Sequence, residues 1–316
     1  MKKQLIMMAC MLMASIAAFA GTNSKILLQH EGGVKVYDSN QMPQAMNDAV
    51  KGDTIFLSEG SYPGFDLTKE ITIRGAGKMT IINGAVKISV TGNPTFSAPS
   101  LESLYLSNTL TVAQPCKKLH IKKCNVNGNV SFSAKSEDVL IDRCENNNLF
   151  YLSSNITSMT VVNSLIRQLN ELGTLEAGSV TFVNCEIINF FKLTKGQHFI
   201  NCIFGLPYST NSCIENSRLV NCLYNISSGY NSNISSSCAS QSCYAIDYSG
   251  YLTALSADEL LSSNYLGNDG TIVGKYGGNT PFVADFIPSA PKVTDSSLKL
   301  DLDNKKLNVS LKVTAE

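Results

Sequence analysis

The sequence predicts an all-β fold, a right-handed parallel β-helix, which is a solenoid with about 20 residues in each coil. The first observation is an internal repeat between positions 119 and 224, in which one phrase recurs as HIKKCNV, LIDRCEN, VVNSLI, TFVNCEI, HFINCIF and RLVNCLY. The second is that each copy is rich in β-branched residues, without a helical periodicity between copies. Stacking lets such copies bury one continuous core that no single copy could bury.

Three columns of residues explain how the copies stack. The apolar residue before the small one should point inward, because alternate strand residues face opposite sides. The residue two positions after this apolar one, directly before the small residue, lies at a bend, where amide side chains suit a tight turn. The small residues should fill a narrow corner, mostly as buried free thiols. The inward column is Ile121, Ile141, Val161, Phe182, Phe199 and Leu219; the bend column is Lys123, Arg143, Asn163, Asn184, Asn201 and Asn221; the corner column is Cys124, Cys144, Ser164, Cys185, Cys202 and Cys222.

The amino-terminal stretch predicts an export signal followed by a cap for the solenoid. A basic start, an apolar run and a small-residue cleavage site predict a signal peptide over residues 1–20. The mature protein is therefore expected to be secreted, whether extracellular, on the cell surface or periplasmic. An amphipathic helix is predicted from Ser39 or Asn40 to Gly52, where it would cover the first coil. The solenoid and this cap are assigned to residues 21–250.

The carboxyl-terminal part, residues 251–316, is predicted as a β segment that covers or extends the solenoid. A short capped helix is expected at 256–261, and alternating runs at 297–302 and 305–313 predict a β-hairpin. An apolar strip should face outward in the late coils, and a strip of this kind usually needs a cover. The carboxyl-terminal segment is the expected cover. The strip consists of Val162, Val183, Ile200 and Val220.

Composition argues against several classes of function. The formal net charge is zero and no basic stripe occurs, so nucleic acid is not an expected partner, since phosphate binding needs clustered Lys and Arg. Beyond the leader, no apolar run is long enough to predict a membrane span. The spacing of Cys and His predicts no zinc site. Cys238 and Cys243 are the best pair for a local disulfide, with the question of their bridging left open.

Several phrases resemble a known family. AVKGDTI at 49–55, EGSY at 59–62 and ITIRG at 71–75 resemble the N-terminal coil of right-handed parallel β-helix proteins of the pectin-lyase-like superfamily. The repeated VNC phrase is similar to the stacked coils of the same proteins. NDGT at 268–271, GKYGG at 274–278 and the closing KLNVSLKVTA are similar to the tails of secreted, uncharacterised bacterial β-helix proteins. The resemblance implies the fold and a setting of polysaccharide chemistry, without a particular activity.

The resemblance also implies where a catalytic site would lie. Enzymes of that superfamily act on the outer face of one sheet; the lyases hold calcium with clustered carboxylates beside a Lys or Arg base, and the hydrolases use close Asp residues. Stacking should put Lys122 beside Asp142, next to Arg143, with His120 on the same face. Lys122, Asp142 and Arg143 are the catalytic candidates, and calcium would be the cofactor of a lyase. Otherwise no cofactor is predicted, and an ordinary exposed pair remains the alternative.

Candidates for ligand binding are histidines and late tyrosines. Aromatic rings among amides and hydroxyls suit sugars, and the chain has no tryptophan. The leading hypothesis is an exported, non-catalytic protein that binds a polysaccharide or cell-surface glycan along its elongated face. The alternatives are a polysaccharide lyase or glycoside hydrolase, and an adhesin-like or structural assembly module. The ligand-binding candidates are His120, His198, Tyr208, Tyr230, Tyr244 and Tyr248.

Overall fold

The computed structural model describes residues 24–30, 32–90, 99–173, 175–288, 292–301 and 306–314. The predicted signal peptide, residues 1–20, lies outside these ranges. The described chain is an all-β parallel solenoid of about nine turns, which confirms the fold class. Within these ranges, every helix is too short or too polar to cross a lipid bilayer.

Two twelve-stranded sheets form most of the wall. The strands of sheet A are Lys25–His30, Gly33–Asp38, Thr54–Leu57, Thr72–Arg74, Ser100–Glu102, His120–Lys122, Val139–Asp142, Met159–Val162, Val180–Val183, His198–Ile200, Arg218–Val220 and Ala239–Gln241. The strands of sheet B are Gly60–Leu67, Thr80–Ile88, Tyr105–Leu106, Leu110–Val112, Asn125–Val126, Val130–Phe132, Glu145–Ser153, Leu165–Leu172, Glu186–Phe190, Ile203–Pro207, Leu223–Asn225 and Tyr244–Ile246. A third side carries the short pair Cys116–Lys117 and Ser136–Glu137.

The amino-terminal cap contains the predicted helix. Strand Lys25–His30 pairs antiparallel both with Gly33–Asp38 and with the first solenoid strand of sheet A. A 3-10 turn and the α-helix Met42–Asp48 follow, with Met42 and Ala45 buried against the core. The helix ends before the predicted Gly52, because the backbone is already extended at Ala49.

The inward and corner columns are confirmed. All six inward residues are at most 4% exposed, and the corner residues are at most 5% exposed. Each corner thiol donates to carbonyls of its own and the preceding coil, as Cys185 Sγ does to Val183 O and Val161 O, both at 3.3 Å. Burial raises the pKa of the Cys185 thiol well above its ordinary value. Cys238 and Cys243 are also free thiols, so the candidate disulfide is not formed.

The bend column turns the chain from sheet A to sheet B through the left-handed backbone region. The six residues have φ angles between 46° and 55°. Few residues other than glycine adopt this conformation, and asparagine is prominent among them. The asparagines of the repeat therefore follow from the backbone of the bend.

The carboxyl-terminal part begins with a 3-10 turn, Leu252–Ala254, and the predicted helix, Ala257–Ser262, which Ser256 and Glu259 cap. A segment of residues 265–288, the strap, then runs back along the bend column to the second coil. Its hydrogen bonds mark the route: Tyr244 Oη donates to Leu266 O (2.8 Å), Gly274 N to Asn201 O (2.7 Å), Asn163 Nδ2 to Gly277 O (2.6 Å), Lys123 Nζ to Ile287 O (2.9 Å) and Lys78 N to Asp285 O (3.2 Å).

The carboxyl-terminal part covers an apolar outer strip, but this strip differs from the predicted one. Ile203 and Leu223, at the start of sheet B strands, form a second core with Leu252, Leu260 and Val273. The predicted strip on sheet A is only half-buried. The predicted hairpin is confirmed as strands Lys292–Asp301 and Lys306–Thr314, which form a two-stranded antiparallel sheet of their own.

Candidate functional site

The outer face of sheet A carries two columns, and their chemistry changes along the solenoid axis. The second column is charged in the early coils and aliphatic in the late ones, whereas the first column is mixed and ends with His198 and Arg218. In coil order, the first column is Ser100, His120, Leu140, Thr160, Thr181, His198 and Arg218, and the second is Glu102, Lys122, Asp142, Val162, Val183, Ile200 and Val220.

The three catalytic candidates do come together in the charged half of this face. Lys122 and Asp142 are register partners, as predicted. Arg143 holds the Asp142 carboxylate with both Nε (3.0 Å to Oδ1) and Nη2 (2.8 Å to Oδ2). One coil earlier than Lys122, Glu102 accepts from Arg74 Nε at 2.5 Å. Both carboxylates on this face are therefore engaged by arginines.

His120 lies between these carboxylates. Its imidazole is half-buried, and Nε2 is buried with no hydrogen-bond partner in the described part of the chain. Burial lowers the pKa of His120, and the charges of Asp142 and Glu102 oppose this effect. The ring is therefore biased towards its neutral form. A neutral imidazole here could accept a proton or bind a ligand hydroxyl.

The neighbouring Lys123 points to the strap. Burial and the nearby cations Arg143 and Lys122 lower its pKa. Within the described ranges, no group of three or more His, Cys, Asp or Glu side chains could hold a metal ion. The candidate Asp142 and the neighbouring Glu102 are both in ion pairs with arginines, so this cluster does not fit the calcium that a lyase would need.

The tyrosine candidates occupy different places. Tyr208 is 56% exposed and stacks on Phe191, with ring centroids 4.2 Å apart. The hydroxyl of Tyr244 both donates to and accepts from the backbone of Leu266, so Tyr244 anchors the strap. Tyr230 lies edge-on to the exposed ring of Tyr251 near the last coil.

Tyr248 belongs to the same end of the molecule. Asn225 makes two hydrogen bonds to its backbone: Asn225 Nδ2 donates to Tyr248 O at 2.7 Å, and Tyr248 N donates to Asn225 Oδ1 at 3.2 Å. The residue is 37% exposed. Tyr248 is thus fixed at the backbone and presents its ring to solvent.

One outward column of sheet B, which we call the aromatic row, was not predicted from the sequence. Thr111 pairs in register with Ser131, and Tyr151 pairs with Asn170. The remaining neighbours each lie one residue after a register pair, so the row runs through six successive coils: Thr111, Ser131, Tyr151, Asn170, Phe191 and Tyr208. Five are half-buried and Tyr208 is exposed. Each of the last four follows the corner residue of its coil by six or seven positions, so the repeat contained the signal. A register shift between Asn146 and Leu149 obscures it.

The late half of sheet A holds His198 beside Arg218, at the edge of a groove that the strap borders. His198 therefore lies on the outer face, as predicted, four coils away from His120. Asn268 of the strap also lines this groove. The repeat pattern could not identify this residue, because the strap lies outside the repeat.

No protein family model, curated protein or solved structure matches this chain. The fold rests on the structure, and membership of the pectin-lyase-like superfamily remains a prediction.

Proposed function

We propose that this protein is an exported β-helix protein that binds a polysaccharide or a cell-surface glycan along sheet B, without catalysis. The observation that carries the proposal is the aromatic row. It agrees with the resemblance to the pectin-lyase-like superfamily and to secreted bacterial β-helix proteins.

The chemistry of the row suits a glycan. Aromatic rings offer an apolar face for the C–H groups of sugar rings, and hydroxyl and amide side chains can bond to sugar hydroxyls. Coils stack about 4.8 Å apart, so six coils extend the row over roughly 24 Å. Thr111 Oγ1 and Ser131 Oγ lie 3.2 Å apart and continue the row with hydroxyls beyond Tyr151. A linear glycan lying parallel to the axis would contact several of these side chains at once.

The charged half of sheet A favours a structural role over catalysis. A carboxyl group can act as a general acid or base only where it can reach the substrate proton. Glu102 and Asp142 are held by Arg74 and Arg143 instead. Lys122 and the neutral His120 are the groups that a lyase mechanism would have to use, so the test must also detect product.

The test is a binding screen of the mature protein on neutral and acidic polysaccharides, scored for retention and for unsaturated products by ultraviolet absorbance. We expect retention without product. Tyr208→Ala and Tyr151→Ala should each weaken binding about fivefold or more, because truncating a contact aromatic costs about 1 kcal/mol or more. Tyr105→Ala is the matched control, since Tyr105 lies on sheet B outside the row.

Two results would contradict the proposal. Unchanged retention in both row variants would remove the row as the binding surface. Unsaturated product that disappears in Lys122→Ala would instead establish a lyase at the charged cluster.

A further inference from the structure

The late coils of sheet A contain a groove of about 150 Å³. Its floor is aliphatic, formed by Ile200 and Val220. His198 and Arg218, which are register partners on adjacent strands, form one side. Asn268 of the strap forms the other side. The residues that line the groove include no carboxylate, although the net charge of the whole protein is zero.

The groups around the groove are held in place, and hydrogen-bonding capacity is left over. Asn268 is fixed by Asn201, whose Nδ2 donates to Asn268 Oδ1 at 3.0 Å and whose Oδ1 accepts from Asn268 N at 3.1 Å. In the described ranges no acceptor is bonded to Asn268 Nδ2. The His198 imidazole lies against Gly178, where an added Cβ would be 3.6 Å from Nε2. Arg218 is exposed, and none of the ion pairs among the described residues involves it.

The early coils provide the comparison. Arg74 and Arg143 face outward from the same side of the solenoid, and each is paired with a carboxylate of the protein. At Arg218 the neighbouring positions of the sheet are occupied by His198 and Ala239. The guanidinium therefore has the geometry for a carboxylate, and none of the described residues supplies one in an ion pair.

We propose that this groove binds a carboxylate carried on a small apolar body. Arg218 would take the carboxylate through its planar fork, with His198 and Asn268 Nδ2 as further donors. The apolar body would lie on Ile200 and Val220. The groove volume is several times the roughly 30 Å³ that one water molecule occupies in the liquid, so it can hold more than the carboxylate alone.

The floor distinguishes this ligand from the glycan proposed above. Branched aliphatic side chains offer no aromatic face for stacking on a sugar ring, whereas they suit an apolar body. The groove also lies on sheet A, and the aromatic row lies on sheet B. The inference therefore stands independently of the proposed function, and either can fail alone.

Titration calorimetry of the full mature chain tests the inference with three probes. Benzoate is a carboxylate on an apolar body, benzyl alcohol is its uncharged counterpart, and glucuronate carries the carboxylate on a sugar. We expect saturable binding of benzoate, with both other probes at least tenfold weaker. Arg218→Gln should weaken benzoate binding at least tenfold. Arg167→Gln is the matched control, because it removes an exposed arginine from sheet B and should change nothing.

A second variant guards against loss through misfolding. Asn268→Asp keeps the oxygen that accepts from Asn201 and places a negative charge in the groove wall. It should abolish benzoate binding while the thermal midpoint stays near that of the unchanged protein. The inference is overturned if benzoate binding is weaker than about 10 mM, or if Arg218→Gln and Asn268→Asp bind it normally. It is also overturned if benzyl alcohol or glucuronate binds as tightly as benzoate.

Discussion

Two requirements determine which residue types occur in the repeat: burial in the core at the inward and corner positions, and the left-handed backbone conformation at the bend. Inward and corner residues could be predicted from the sequence because strand alternation fixes which side chains are buried. The role of the bend amides could be predicted only in part. Asn163 Nδ2 donates to Lys275 O (3.2 Å) and Gly277 O (2.6 Å), more than a hundred residues later in the chain. A repeat pattern contains no information about partners of this kind.

Two substitutions at Asn163 separate these contributions. Asn163→Ala loses both hydrogen bonds and the tolerance for φ 46°, and we expect a loss of about 2–4 kcal/mol in the free energy of unfolding. Asn163→Gly keeps access to the left-handed region and should lose about half as much. Urea denaturation of both variants measures the difference. Equal losses would show that the backbone conformation contributes nothing here.

The strap is the element that sequence patterns reveal least. Its docked position includes a buried ion pair between Lys275 Nζ and Glu186 Oε2, whose side chains are 10% and 1% exposed. The Glu186 position belongs to an outward column of sheet B that is otherwise apolar there, with Leu165 and Ile203 as its neighbours. From the sequence alone, Glu186 has no visible partner, since Lys275 lies in a segment without the repeat.

Removing Lys275 should leave a buried carboxylate uncompensated. Lys275→Met is expected to cost about 3–5 kcal/mol of unfolding free energy at pH 7.5. Burial raises the pKa of Glu186 above its ordinary value of 4.5, and Lys275 opposes that rise. Lys275→Met should therefore raise the pKa of Glu186 further. Because the folded state then holds the proton to higher pH than the unfolded state, stability falls as pH rises above 4.5. The loss should be smaller at pH 5 than at pH 7.5.

A double variant is the control for this prediction. Lys275→Met with Glu186→Leu replaces both charges by apolar groups that match the neighbouring Leu165 and Ile203. We expect unfolding free energy near that of the unchanged protein and no extra pH dependence. Urea denaturation at the two pH values measures both variants. A double variant as unstable as Lys275→Met would mean that the strap docks through this ion pair specifically.

At the scale of the whole molecule, the solenoid is a one-dimensional stack of coils, and the strap connects coils that are far apart along its axis. Coils of a solenoid contact only their neighbours, so its stability is roughly a sum of nearest-neighbour contributions. The strap adds contacts from the last coils, at Tyr244, to the second coil, at Lys78. The periodicity of 20 residues was enough to predict the stack. It could not predict the contacts between distant coils, because these contacts are made by the strap, which does not follow the repeat.

Two truncated chains test how much these contacts contribute. A chain that ends at Gly250 loses the strap and uncovers Ile203 and Leu223, both fully buried in the complete protein. Exposing each should cost about 1.5–3 kcal/mol, so the thermal midpoint should fall and the late sheet B strands Ile203–Pro207 and Leu223–Asn225 should lose hydrogen-exchange protection first. A chain that ends at Pro288 keeps the strap, lacks the hairpin and should unfold like the complete protein. If the Gly250 chain also kept the full midpoint, neighbouring coils alone would account for the stability.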